Sequence, residues 1–126
     1  MKRGIIAGAL LLLSLIISIF CHTELIKELK NVENRIEEIK ISCQNENIQA
    51  AEKESIDLID YWESKRPFIS IVVERDSVKD IENGINLFNE LIKEESFDEA
   101  STLCIETEAQ IEFLLQEEKI TFYNIF

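Results

Sequence analysis

The chain has 126 residues, a net charge of −12, one histidine, three glycines and three cysteines. All 25 acidic residues follow residue 22, against 11 of the 13 basic ones, a net of −14 beyond that point. That balance argues against nucleic acid binding, which needs clustered Lys and Arg against phosphate, and it disfavours charge-driven contact with an anionic lipid face.

The first predicted element is Gly4 to Cys21, GIIAGALLLLSLIISIFC, without charge or proline. As a helix it rises about 27 Å, close to the thickness of a bilayer core. Three membrane readings compete. Cleavage by a signal peptidase wants a small residue just before the cut, but Phe20 is large and Ala7-Gly8-Ala9 comes too early. A lipoprotein anchor at Cys21 wants a small residue where Phe20 stands. An uncleaved signal anchor is the favoured reading. A buried soluble helix would need a core around all its faces, which about 100 residues do not easily supply. Lys2 and Arg3 favour an N-terminus inside and the rest of the chain outside the cytoplasmic membrane, although Lys27, Lys30 and Arg35 on the other flank weaken the contrast. Gly4, Gly8, Leu12, Ile16 and Phe20 mark one stripe of this anchor, and Gly4/Gly8 form a small-xxx-small pair. The expected division is an anchor over residues 1–22 and an acidic helical domain over 23–126.

No glycine or proline falls between Ala9 and Asn45. Leu25, Leu29, Val32, Ile36, Ile39 and Cys43 alternate in steps of four and three, the pattern of a helix with one apolar stripe. Nothing between Cys21 and Leu25 demands a break, so one rod is expected from the membrane into the domain. The seam is short for an independent coiled coil, and an intramolecular bundle is the preferred reading over a homo-oligomer.

Asn45-Glu46-Asn47 reads as a turn, and a second helix carries Ile48, Ala51, Leu58, Ile59 and Trp62 on one face. Arg66-Pro67 closes that helix or opens the next. Phe68 to Val73 resembles a strand in composition, as does Ile120 to Phe126. Two isolated strands are marginal, so a short helix or helical extension is preferred. Ser77-Val78-Lys79-Asp80 fits a capping pattern opening a third helix with Val78, Ile81, Ile85, Phe88 and Ile92. Gly84 inside it either permits a close crossing or is merely tolerated. Glu94-Glu95-Ser96 is the next turn, and Ser96 with Glu99 opens a fourth helix bearing Phe97, Ala100, Cys104, Ile111 and Leu114. The fold class is therefore all-α: a transmembrane helix continuing into a small antiparallel bundle of about four helices.

Catalytic equipment is missing. There is no Ser-His-Asp set, no Cys-His pair, no phosphate loop and no metal-spaced cysteines. Asp57, Asp60 and Glu63 lie three apart, but carboxylate metal sites in bundles recruit histidines, and the single His22 sits beside the membrane. No catalytic, cofactor or metal residue is assigned, and an enzyme is not expected. Cys43 and Cys104 fall on apolar stripes and read as small core residues; a bridge between them needs Cα atoms within about 7 Å.

The anchor, the acidic helix pair ending near Tyr61-Trp62, the Phe97-Asp98-Glu99-Ala100 hairpin and the Asn124-Ile125-Phe126 ending together resemble the domain-of-unknown-function family four-three-six-three, small membrane-anchored proteins of Gram-positive bacteria. The resemblance implies a helical bundle and a membrane location. It implies no activity and carries over no site residues. Pro67 interrupts the regular helical run expected of that family. The partners expected are the bilayer through residues 4–21 and a membrane or envelope protein, docked through an exposed part of the seam or around Trp62 and Phe68. A ligand- or cation-sensing bundle signalling through the first helix is the alternative, and a homo-oligomeric spacer is a third reading.

Overall fold

The computed structural model describes residues 1–125; Phe126, the end of the strand-like C-terminal stretch, lies outside the described residues. Four helices account for almost all of them: α1 (Lys2–Gln44), α2 (Ile48–Val72), α3 (Arg75–Lys93) and α4 (Phe97–Ile125). Helix α1 packs against α2 and α4, and α3 packs against the same two, so the helices form a closed antiparallel ring.

The core follows the apolar periodicity. Leu25, Leu29, Val32, Ile36, Ile39 and Cys43 of α1 are buried, and meet Leu58, Trp62 and Ile69 of α2, Ile81, Ile85, Phe88 and Ile92 of α3, and Ala100, Cys104, Ile111 and Leu115 of α4. Each such side chain contributes roughly 1.5–3 kcal/mol by leaving water, most of it offset by lost conformational entropy. The seam is consumed within the chain. It leaves no exposed strip for docking or for a spacer built on that face.

Both hairpin turns at the far end of the bundle use the same device. After α1, the Glu46 N–H donates to the Cys43 carbonyl (3.0 Å) and Asn47 N–H to that of Ser42 (2.9 Å). After α3, Glu95 donates to Ile92 (3.0 Å) and Ser96 to Leu91 (2.9 Å). This is the Schellman pattern, with Glu46 (φ 54°) and Glu95 (φ 60°) in the left-handed conformation usually given to glycine. The Asn47 side chain then caps α2 by accepting from the Ala50 N–H at 3.3 Å.

Two boundaries differ from the sequence reading. Helix α2 runs through Pro67 to Val72 instead of closing at Arg66. Proline removes the hydrogen bond to the Glu63 carbonyl, but residues 63 and 64 are exposed there and water can serve it. Buried Ile69 continues the apolar stripe and holds the last turn to the core. Helix α3 begins at Arg75 after Glu74, so Ser77 sits inside the first turn and does not open the helix. Buried Val73 and Val78 fix that start by packing on both sides of the junction. Residues 68–72 and 120–125 are both helical, and among the described residues no ribbon forms.

Candidate functional site

Three features of α1 stand out: its bare first half, and two polar seams along the buried half. Lys2–Gln44 is one helix, about 65 Å long. Its most apolar 18-residue stretch has no buried residue and is long and apolar enough to cross a membrane. Gly4 and Gly8 have open space around them. Leu12, Ile16 and Phe20 are 60%, 55% and 65% exposed. The junction at residues 22 and 23 is unbroken: Thr23 Oγ1 donates back to the Ile19 carbonyl at 2.9 Å, a bond internal to the helix.

At this junction α4 returns to meet α1. The His22 ring stacks on Phe122 with centroids 4.2 Å apart and planes 13° from parallel. His22 Nδ1 lies 3.6 Å from Glu118 Oε2. Ser18, Cys21, Val72 and Thr121 line a small open hollow beside them. Thus the ends of α2 and α4 reach the level at which the apolar segment ends.

The first polar seam joins α1 and α2. Glu28 is buried and accepts a hydrogen bond from the Tyr61 hydroxyl, with Lys65 Nζ 3.7 Å from its other oxygen. Arg35 covers the Tyr61 ring at 4.4 Å. Burial, then the bond to Glu28, pushes the Tyr61 hydroxyl up to about 12, so the phenol stays protonated and acts as a donor. Nearby, Trp62 Nε1 donates to Glu82 Oε1 (3.3 Å), which also pairs with Arg66 Nε (2.9 Å). Trp62, expected at an interaction surface, is therefore a core residue with 2% exposure. Its indole fills the space between α2 and α3, as the largest apolar side chain on the buried stripe would. Phe68 is half-buried against the same core.

The second seam joins α1 and α4 and was not visible in the sequence. Glu33 and Glu37, one turn apart, face Glu112 and Glu108, one turn apart on the antiparallel partner. Lys40 Nζ lies 2.6 Å from Glu37 Oε2 and 3.9 Å from Glu108 Oε1. Burial, followed by the hydrogen bond and charge of Glu37, pushes the Glu108 carboxyl up to about 7. Burial and Glu112 push Glu33 upward too. Lys40 first, then Glu108, holds Glu37 below the usual range. Each cross-helix pair can hold one proton between two carboxyl groups. Glu108 Oε1 is buried without a hydrogen-bond partner. The signal that could have exposed this seam is the i, i+4 repeat of glutamates on both helices, hidden among the many solvated acids.

Cys43 and Cys104 are buried free thiols, and burial raises both, that of Cys104 strongly. Neither is a poised nucleophile. Asp57, Asp60 and Glu63 all lie on the exposed side of α2. No group of three or more His, Cys, Asp or Glu converges as a metal-ligand set among the described residues.

Taken together, the chain is an antiparallel four-helix bundle grown on one long helix whose apolar half stands free. It belongs to the family Domain of unknown function (DUF4363), whose model matches residues 19–125. The matched range starts in the last turn of the apolar segment, so it covers the whole bundle. No curated protein and no solved structure matches the chain.

Proposed function

We propose that this protein is a single-pass membrane-anchored helical module that acts through non-catalytic interactions at the outer face of the cytoplasmic membrane. One observation carries the reading. The same helix that supplies the central seam of the bundle also supplies an apolar stretch that the rest of the chain does not bury. Exposing so much contiguous apolar surface to water costs about 25 cal/mol per Å², and a bilayer removes that cost. Lys2 and Arg3 before the segment favour the inside orientation of the N-terminus.

The partner in this reading is a membrane or envelope protein. Since the α1 seam and Trp62 are internal, the surface left for it is the outer side of α3 and α4. There Leu87 is exposed beside half-buried Leu91 and Leu103, rimmed by Asp98, Glu99 and Glu106. The test is protease accessibility of the full chain in sealed right-side-out membrane vesicles, coupled to crosslinking and mass spectrometry. Degradation of the bundle from outside with protection of residues 4–21, and recurrent crosslinks from α3 and α4 to one envelope protein, are expected. A bundle protected until the vesicles are opened overturns the orientation, and crosslinks scattered over random membrane proteins overturn the interaction role.

The shared-proton seam of Glu33, Glu37, Glu108 and Glu112 favours a second reading, a bundle that responds to protons or cations and passes the change along α1. Thermal midpoints of the full chain in detergent that stay constant with pH and with added calcium or magnesium would remove it.

A further inference from the structure

We propose that the end of the bundle beside the anchor is itself a lipid-contacting surface, in which Ile71 of α2 and Ile120 and Tyr123 of α4 sit in the boundary between headgroups and acyl chains. The proposal rests on the reading of residues 4–21 as the bilayer segment and adds a second point of attachment to it.

Three observations meet here. The first is position. Phe122 stacks on His22, and Thr121 shares a hollow with Ser18 and Cys21, so the last turns of α4 lie alongside the end of the apolar segment. Val72 lines the same hollow, which brings the end of α2 to that level.

The second is exposure. Ile71 is 84% exposed, Ile120 60% and Tyr123 78%. Phe20, the last large residue of the anchor, is exposed with them. Large apolar side chains bared together beside an apolar segment mark an interaction surface.

The third is charge. Almost a third of the residues are charged, yet residues 67–73 and 120–125 contain none. Both uncharged stretches end at the same end of the bundle. The acids of α4 stop at Glu118, and Lys119 follows them. A protein partner for an acidic domain would be expected to meet carboxylates. The α2–α3 turn at this end carries the exposed Glu74, Arg75 and Asp76, but the last turns of α4 are uncharged, and an exposed tyrosine there suits the bilayer boundary, where an aromatic ring sits with its hydroxyl toward water. The acidity of the remaining surface does not oppose this contact, because it is made by apolar side chains and, on α4, lies beyond the last acidic side chain, Glu118. Continuity with the bilayer segment selects lipid over a second copy of the chain.

The surface fixes how the bundle stands. With α1 alone, the helix and its domain would tilt together in the bilayer. With α2 and α4 also seated in the boundary, it is held upright on three helix ends.

The experiment places the full chain in vesicles of phosphatidylglycerol and phosphatidylethanolamine carrying bromine on the acyl chains near the headgroup. Tryptophan is introduced one position at a time, as Ile71→Trp, Tyr123→Trp and, as a control higher on α4, Phe113→Trp, which is also exposed. The wild-type emission of buried Trp62 is the baseline. Flotation is measured on the same samples. The proposal predicts that all variants float with the vesicles and that brominated lipid cuts the added emission of Ile71→Trp and Tyr123→Trp by at least twofold, leaving that of Phe113→Trp unchanged. Chains that float while Tyr123→Trp and Ile71→Trp are quenched no more than Phe113→Trp overturn the surface and leave the anchor standing. The same absence of quenching with a dimer by light scattering assigns the surface to a second copy, and also overturns it. Chains that do not float overturn the anchor and this proposal together.

Discussion

Gly84 on α3 and Thr107 on α4 meet so closely that a Cβ added at residue 84 would collide with Thr107 Oγ1, and would stand 3.3 Å from its Cγ2. The glycine is therefore not a tolerated weakness of α3; it sets the distance between the helices. The Thr107 hydroxyl is locked by donating to the Leu103 carbonyl at 2.8 Å, so it does not swing away freely. Gly84→Ala gains helix propensity of up to ~1 kcal/mol but overpacks the crossing at a cost of about 1–3 kcal/mol. A net loss of up to about 2 kcal/mol is expected from denaturant unfolding of the full chain in detergent. Thr107→Ala leaves only a Cβ 3.4 Å from the new methyl, which is ordinary contact. The double variant should recover most of the loss attributable to the clash, with a coupling of about 1 kcal/mol or more. Simple additivity would show that the crossing can open without cost.

The cross-helix glutamates make stability depend on pH. Glu108 has its carboxyl raised to about 7 from an ordinary 4.5, and Glu37, Glu33 and Lys40 act on it from α1. The folded state then binds more protons than the unfolded one between those values, so stability falls as pH rises through that window. Glu33, also raised, adds in the same direction. Glu37, lowered chiefly by Lys40, opposes it. Glu108→Gln should flatten the fall and raise stability at pH 8 by about 1–2 kcal/mol, with little effect at pH 5. Melting curves of the full chain in detergent across pH 4.5–8 provide the check. An unchanged slope in the variant would mean that water reaches Glu108 freely.

Glu46 and Glu95 occupy left-handed positions that cost a non-glycine residue roughly 1–2 kcal/mol. Glycine relieves that cost but is looser in the unfolded chain. Glu46→Gly and Glu95→Gly should each stabilise the full chain by about 0.5–1 kcal/mol, and the two gains should add because the turns are separate. Chemical denaturation of the single and double variants reads this. Loss of stability in either would show that the carboxylate has a role beyond the turn.

The three thiols should differ in reactivity. Cys21 is half-buried at the junction, whereas Cys43 and Cys104 are buried and raised. Alkylation of the full chain in detergent at pH 8, read by mass spectrometry, should modify Cys21 first. Cys43 and Cys104 should follow only on unfolding. Early reaction of Cys104 would mean that α1 and α4 separate readily.

Periodicity in the sequence makes most of the fold legible. The steps from Leu25 to Cys43, those from Val78 to Ile92 and the two three-residue turns are legible because burial repeats with the helical period. The end of α2 is not, because local rules at Pro67 point to a stop while Ile69 supplies a tertiary contact that outweighs them. The start of α3 is hidden for a similar reason: Ser77 and Asp80 imitate a cap, but Val73 and Val78 decide the register. Trp62 falls on the apolar face with Leu58 and Ile59, so its burial is legible, and the docking role expected of it is what the packing of α3 removes. The paired glutamates are illegible because partners on antiparallel helices are far apart in sequence, and most acids here are solvated.

One unbroken helix carries the apolar segment into the bundle core, and the proposed anchor, the junction and the proposed orientation of the domain all depend on it. Amide hydrogen exchange of the full chain in lipid nanodiscs reads this continuity. Slow exchange is expected without interruption from residue 15 through residue 28, with no gap at Cys21, His22 and Thr23. Rapid exchange confined to residues 20–23, with slow exchange on both sides, would show a hinge there and contradict the single helix.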